Sequence, residues 1–130
     1  MASTVANKPT FFESDGKAVN VTLTAAVVKG AVIVVEGWLG IAAETGAIGD
    51  QIALIADNRE YQFFVPAALT VSKGTIVYIT VATVNGHYPD DAAYVVAPAA
   101  GAVAFFKATA AKDASNMVTG IMLAANALAS

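Results

Sequence analysis

The sequence predicts a small single-domain all-β protein, a β-barrel or sandwich. Three observations carry that expectation. First, Val27-Val28-Lys29-Gly30-Ala31-Val32-Ile33-Val34-Val35 returns as Val71-Ser72-Lys73-Gly74-Thr75-Ile76-Val77-Tyr78-Ile79. Lys-Gly suits a turn, because glycine accepts a positive φ and lysine keeps the tip in water. The β-branched and aromatic run that follows is strand material. Second, eight or nine such runs are separated by turn signals every ~8–12 residues, the spacing of sandwiches and barrels. Third, no heptad, low-complexity tract or second domain interrupts the pattern.

The elements follow in order. Residues 1–10 are polar with Pro9 and form a flexible N-terminal arm, expected to order as an added strand on a neighbour's sheet edge. Residues 11–130 form the single β domain, beginning at Phe11-Phe12. Asn20–Thr24 alternates as a half-buried strand does. Ala31–Val35 is apolar throughout and suits a strand covered on both faces. Glu36-Gly37 turns the chain into Trp38–Ala42. A glycine-bearing loop, 45–50, leads to Gln51–Ala56. Asp57-Asn58 turns, and Glu60–Val65 is a strand closed by Pro66. Thr75–Val84 is a long strand, and Asn85-Gly86 signals a type I′ hairpin. Tyr94–Val96 and Val103–Thr109 are further strands, with a Pro98–Gly101 loop between them. Val118–Leu123 reads as a strand bent or bulged at Gly120, and the alanine-rich remainder tolerates helix.

Composition narrows the function. The chain is 57% hydrophobic and 13% charged, against about 25% charged for an ordinary domain. So little polar surface implies that part of it is covered by other protein. A membrane span is not expected, since the longest apolar stretch, 92–106, falls short of ~20 residues and contains Pro98 and Gly101. Residues 1–10 show no apolar secretory core. With no cysteine, disulfides and thiolate chemistry are excluded. The net charge of −3 with scattered Lys and Arg argues against nucleic acid.

No constellation points to catalysis, a cofactor or a metal. His87 is the one histidine, and lies near Asp90-Asp91. A metal or general-base role is conceivable there. The preferred reading is a solvated hairpin loop, because no second histidine joins it. Asp90-Asp91 and the Glu13/Asp15 pair lack the contrasting environments that acid/base work needs. No serine sits in a nucleophile elbow. Gly37-Trp38-Leu39-Gly40 lacks the third glycine of a dinucleotide fingerprint, and Gly46 to Gly49 lacks the Lys-Ser/Thr of a P-loop. Asn20-Val21-Thr22 matches a glycosylation triplet without a secretion signal. Trp38 is either core or an interface anchor. In Phe63-Phe64 and Phe105-Phe106, strand alternation sends one ring of each pair outward, unless both sheet faces are covered. The candidate interface residues are Lys8, Pro9, Phe11, Phe12, Trp38, Phe63 and Phe105.

From Ala25 onward the chain resembles the capsid cement, or head-decoration, proteins of tailed bacteriophages. The likeness rests on ordered pieces: Ala25–Gly30, Val32–Val35, Gly37–Ala42, Gly46–Leu54, Tyr61–Pro66, Val71–Tyr78 and Val118–Leu123. The region 83–102 is longer than the family's pattern. The resemblance implies a β-tulip-like domain without enzymatic activity or cofactor. It implies a virion protein, made in the host cytoplasm, that binds the major capsid protein on the capsid outer surface. There it would cement the lattice against DNA pressure, as a homotrimer or, alternatively, a homodimer. A ligand- or carbohydrate-binding β-sandwich is the second expectation, resting on Tyr88 with Asn85, Asp90 and Asp91. A small hydrolase using His87 is the third.

Overall fold

The computed structural model describes residues 18–82 and 84–123. The expected arm, 1–10, and the alanine-rich end, 124–130, lie outside the described residues. The expectation of an all-β domain is met. Among the described residues eleven strands run in order: β1 (Ala18–Thr22), β2 (Val32–Val35), β3 (Trp38–Ala42), β4 (Gln51–Ile55), β5 (Glu60–Phe64), β6 (Ile76–Thr80), β7 (Val84–Asn85), β8 (Tyr88–Pro89), β9 (Tyr94–Val95), β10 (Ala102–Ala108) and β11 (Met117–Met122). A 3-10 turn, Asp91–Ala93, precedes β9. The pairings are antiparallel and form a four-stranded sheet, β1-β4-β3-β2, a five-stranded sheet, β5-β11-β10-β6-β9, and the β7–β8 hairpin.

The repeated Lys-Gly phrase is one turn used again. Gly30 and Gly74 have φ of 88° and 90°, and Ala31 and Thr75 donate to the carbonyls of Val28 and Ser72. This is a type II turn, whose third residue needs positive φ. Each glycine N–H is donated across to a neighbouring strand, to Ala42 O and Ala108 O. Those two residues return a bond to Ala31 O and Thr75 O. The same reciprocal arrangement recurs at Ala47–Asp50, where Gly49 donates to Leu23 O and Leu23 to Asp50 O. The hairpins differ from this turn and from one another. Glu36 and Gly37 both have positive φ, so the type I′ turn lies there. Asn85 pairs with Tyr88, which makes Gly86-His87 the central pair, with only Gly86 at positive φ. That is the type II′ pattern rather than the expected I′.

The four-stranded sheet is covered on both faces, as the apolar run 31–35 predicts. Val34, Leu39 and Ile41 face the five-stranded sheet and share its core with Phe63, Val77, Ile79, Phe105, Phe106, Val118 and Met122. Ile33, Val35, Ala42, Ile52 and Leu54 point the other way and form a second cluster with Val21, Leu23 and Val27. Leu23 and Val27 belong to the segment 23–31, which joins β1 and β2, the two outer strands of the sheet. To connect opposite edges it crosses the sheet face, and its apolar side chains seal the second cluster.

Two aromatic expectations separate here. Phe63 is buried and Phe64 is 68% exposed, as alternation requires. Phe105 and Phe106 are both buried, because the register with β6 shifts between Ala104 and Phe106. The extra residue turns two successive side chains inward. Phe106 then stacks on Phe63 at 4.1 Å between centroids, with Phe105 edge-on to both. Gly120 lies within continuous β11 and is no bulge. A Cβ there would stand 2.5 Å from Phe106 Cδ2 and 3.0 Å from Lys107 O. Its missing side chain is the space that the Phe106 ring occupies. Gly120→Ala is therefore expected to destabilise the fold by about 1–3 kcal/mol, the usual cost of overpacking, measured as a lower urea midpoint.

Candidate functional site

The expected solvated loop at His87 is overturned. His87 is 6% exposed. The β2 residue Val34 lies opposite Leu39, in a position whose N–H and C=O point away from β3. His87 takes both groups: Val34 N–H donates to His87 O, and His87 Nδ1 lies 2.9 Å from Val34 O. Nε2 accepts from the backbone N–H groups of Thr24 at 3.0 Å and Ala25 at 3.2 Å. A carbonyl on one nitrogen and N–H donors on the other fix a neutral ring with its proton on Nδ1. Every hydrogen-bonding group of the imidazole is thus committed to holding the 23–31 crossover against β2. Asp90 and Asp91 are exposed and make no bond with the ring.

A second polar cluster, absent from the sequence expectations, sits where the chain passes from β4 to β5. Asp57 is buried, beside Arg59 Nε at 2.6 Å, and accepts from Arg59 N–H at 3.2 Å. Tyr61 Oη donates to both carboxylate oxygens, at 3.0 and 2.9 Å. Burial alone would raise the Asp57 carboxyl, but the bonds from Arg59 and Tyr61 hold it below its ordinary value. Burial and the bond to Asp57 push the Tyr61 phenol up. The spacing Asp57-x-Arg59-x-Tyr61 puts all three on one side of an extended chain, which is the signal that could have revealed it.

Beyond Tyr61 a groove of about 430 Å³ opens between the sheets. Gly30–Val32 and Ile41 form one wall, Tyr61–Phe64 the other, with Tyr88, Pro89 and Tyr94 nearby. A further hollow of about 330 Å³ continues past Phe64 and Pro89 to Pro66 and Asp91. Burial, with Asp91 adding, pushes the Tyr94 phenol up. Tyr88 Oη accepts from Val28 N–H at 3.0 Å, which fixes its ring at the rim.

The outer face of the five-stranded sheet carries exposed apolar side chains among polar and charged ones. Phe64 sits beside Met117, Ile121 beside Glu60 and Lys107, Lys107 beside Ile76, and Tyr78 beside Ala104 and Val95. Phe64 and the 42%-exposed Ile121 leave most contact area in water. Of the residues expected at an interface, Trp38 is 40% exposed at the β2–β3 turn. Phe63 and Phe105 are corrected: both lie in the shared core and cannot meet a partner, so Phe64 is the outward ring. Lys8, Pro9, Phe11 and Phe12 fall outside the described residues. Among the described residues no three His, Cys, Asp or Glu side chains converge as a metal site would require. No protein-family model, curated protein or solved structure matches the chain.

Two predictions follow from the polar clusters. His87→Ala leaves the carbonyl of buried Val34 without its partner and frees the N–H groups of Thr24 and Ala25 to water, and is expected to cost about 1–3 kcal/mol, the scale of one unsatisfied buried group; chemical denaturation measures it. Asp57 contributes stability above the ordinary carboxyl value of 3.8, and that contribution is lost as pH falls through its lower folded-state value. Asp57→Asn should therefore lower stability near neutrality and flatten the acid limb of the stability–pH curve, read from denaturation midpoints.

Proposed function

We propose that this chain is a structural virion protein that self-associates as a homotrimer. It binds the major capsid protein on the outer surface of a phage capsid and cements the lattice against packaged DNA. The observation that supports this reading is the pair of exposed apolar side chains, Phe64 and Ile121, on the outer face of the five-stranded sheet. Such a face stabilises an assembly by removing area from water, at about 25 cal/mol per Å². The polar side chains best placed for chemistry, His87 and Asp57, are instead engaged in holding the fold. On this reading no residue performs covalent or acid/base chemistry.

Addition of the purified protein to capsids that lack decoration tests the proposal. Binding should occur by sedimentation, and decorated particles should release DNA at a higher temperature. Phe64→Glu with Ile121→Lys should weaken binding by about tenfold or more, the scale of one lost hot-spot side chain. Native mass spectrometry should show a trimer at micromolar concentration. A monomer that leaves capsids unchanged would overturn the proposal. The tyrosines around the groove, Tyr61, Tyr88 and Tyr94, favour a second reading as a carbohydrate-binding module, which binding to a glycan array would support.

A further inference from the structure

The tip of the β7–β8 hairpin holds a reactive pair. Asn85 is the one asparagine in the sequence that a glycine follows, whereas Asn20, Asn58 and Asn116 precede Val21, Arg59 and Met117. Glycine at position 86 is imposed by the fold. Its φ is 63°, and a Cβ there would stand 3.3 Å from Ala25 Cβ on the 23–31 crossover. Asparagine at position 85 is not imposed. Strands are poor in asparagine, and Asn85 is an exposed strand residue without the positive φ that favours it. Among the described residues neither the Asn85 side chain nor the Gly86 N–H has a hydrogen-bond partner. Asn85 and Gly86 are open to water, whereas His87 beside them is buried.

We propose that Asn85-Gly86 is a site of spontaneous deamidation, and that the change loosens the crossover. The Gly86 nitrogen, after giving its proton to water or hydroxide, attacks Asn85 Cγ. The new C–N bond closes a succinimide ring, and the side-chain amide nitrogen takes up a proton and leaves as ammonia. Water then opens the ring. Addition at Cγ breaks the new bond and leaves aspartate. Addition at the Asn85 backbone carbonyl breaks its bond to the Gly86 nitrogen and leaves isoaspartate, whose main chain runs through the side chain. In sum, an amide and water become a carboxylic acid and ammonia, with no oxidant or reductant. Glycine favours the attack because it has no side chain to crowd the nitrogen. Isoaspartate adds a methylene to the main chain immediately before Gly86-His87. The two-residue turn has no slack to absorb it, since Asn85 pairs with Tyr88 and Val84 with Pro89. Anchors of the crossover belong to this hairpin: His87 Nε2 accepts from Thr24 and Ala25, and Tyr88 Oη from Val28. Displacing them releases the crossover, together with the two groups of Val34 that His87 takes.

Incubation of the full chain in mildly alkaline buffer, followed by peptide mass mapping, tests the site. Asn85 should convert about tenfold or more faster than Asn20, Asn58 and Asn116, the ratio that a modest difference in activation barrier gives. Isoaspartate should be among its products. Residue-resolved amide exchange tests the consequence. In the aged protein the N–H groups of Thr24, Ala25, Val28 and Val34 should exchange faster, an opening of a local unit, while those of β10 and β11 stay as they were. Asn85→Ser keeps Gly86 and its turn, and its exchange should not change through the same incubation. Conversion of Asn85 no faster than that of the other three asparagines overturns the site. Conversion without faster exchange at the four amides, or equal loosening in aged Asn85→Ser, overturns its link to the crossover.

Discussion

The crossover from β1 to β2 is the constraint on which the rest of this molecule depends. A four-stranded sheet that begins and ends on opposite edges must carry its chain over one face. The segment 23–31 does so with Leu23 and Val27 turned down into the second cluster. Its backbone then needs partners away from the sheet ladder. His87 supplies them from a hairpin more than sixty residues away. The same residue occupies both outward groups of Val34, its carbonyl taking the N–H and its ring the C=O, so one residue closes a sheet edge and anchors a crossover. Lys112 acts similarly on the other half of the molecule. Its ammonium gathers the carbonyls of Ala67 and Leu69, and its N–H bonds Val71 O. The turn that leads to β6 is held in this way.

The shared core rests on a different device. Three phenylalanines meet between the sheets only because β10 is bulged at Phe105 and β11 has a glycine under Phe106. Gly40 plays a comparable part in β3, where a Cβ would meet Ile55 O and Leu54 Cγ. Close backbone approach and ring packing are thus coupled, so the two sheets have little freedom to slide. Asp57 fixes the corner where the chain passes between them.

With His87 and Asp57 engaged in architecture, the surface of the described residues presents the exposed Phe64 and Ile121 and a tyrosine-lined groove.

Alternation and turn chemistry acted locally, and so they were readable in the sequence. The positive φ of the Lys-Gly glycines, the doubly covered run 31–35, the span Trp38–Ala42 and the division of Phe63 from Phe64 follow from neighbours a few residues apart. His87 could not be read in that way. Its surroundings in the chain, Asn85-Gly86 and Asp90-Asp91, are those of a solvated turn, and its partners Thr24, Ala25 and Val34 are distant. Phe105 was misplaced for a related reason: a bulge is set by register against β6, which a single strand does not encode. Gly120 resembled a bend because its neighbour Phe106 is visible only across β10. Sequence alone determined the period-two pattern and the turns, which are short-range. Tertiary structure decided which polar group meets which backbone atom, because burial makes an unpaired group costly and only the folded chain brings its partner within reach.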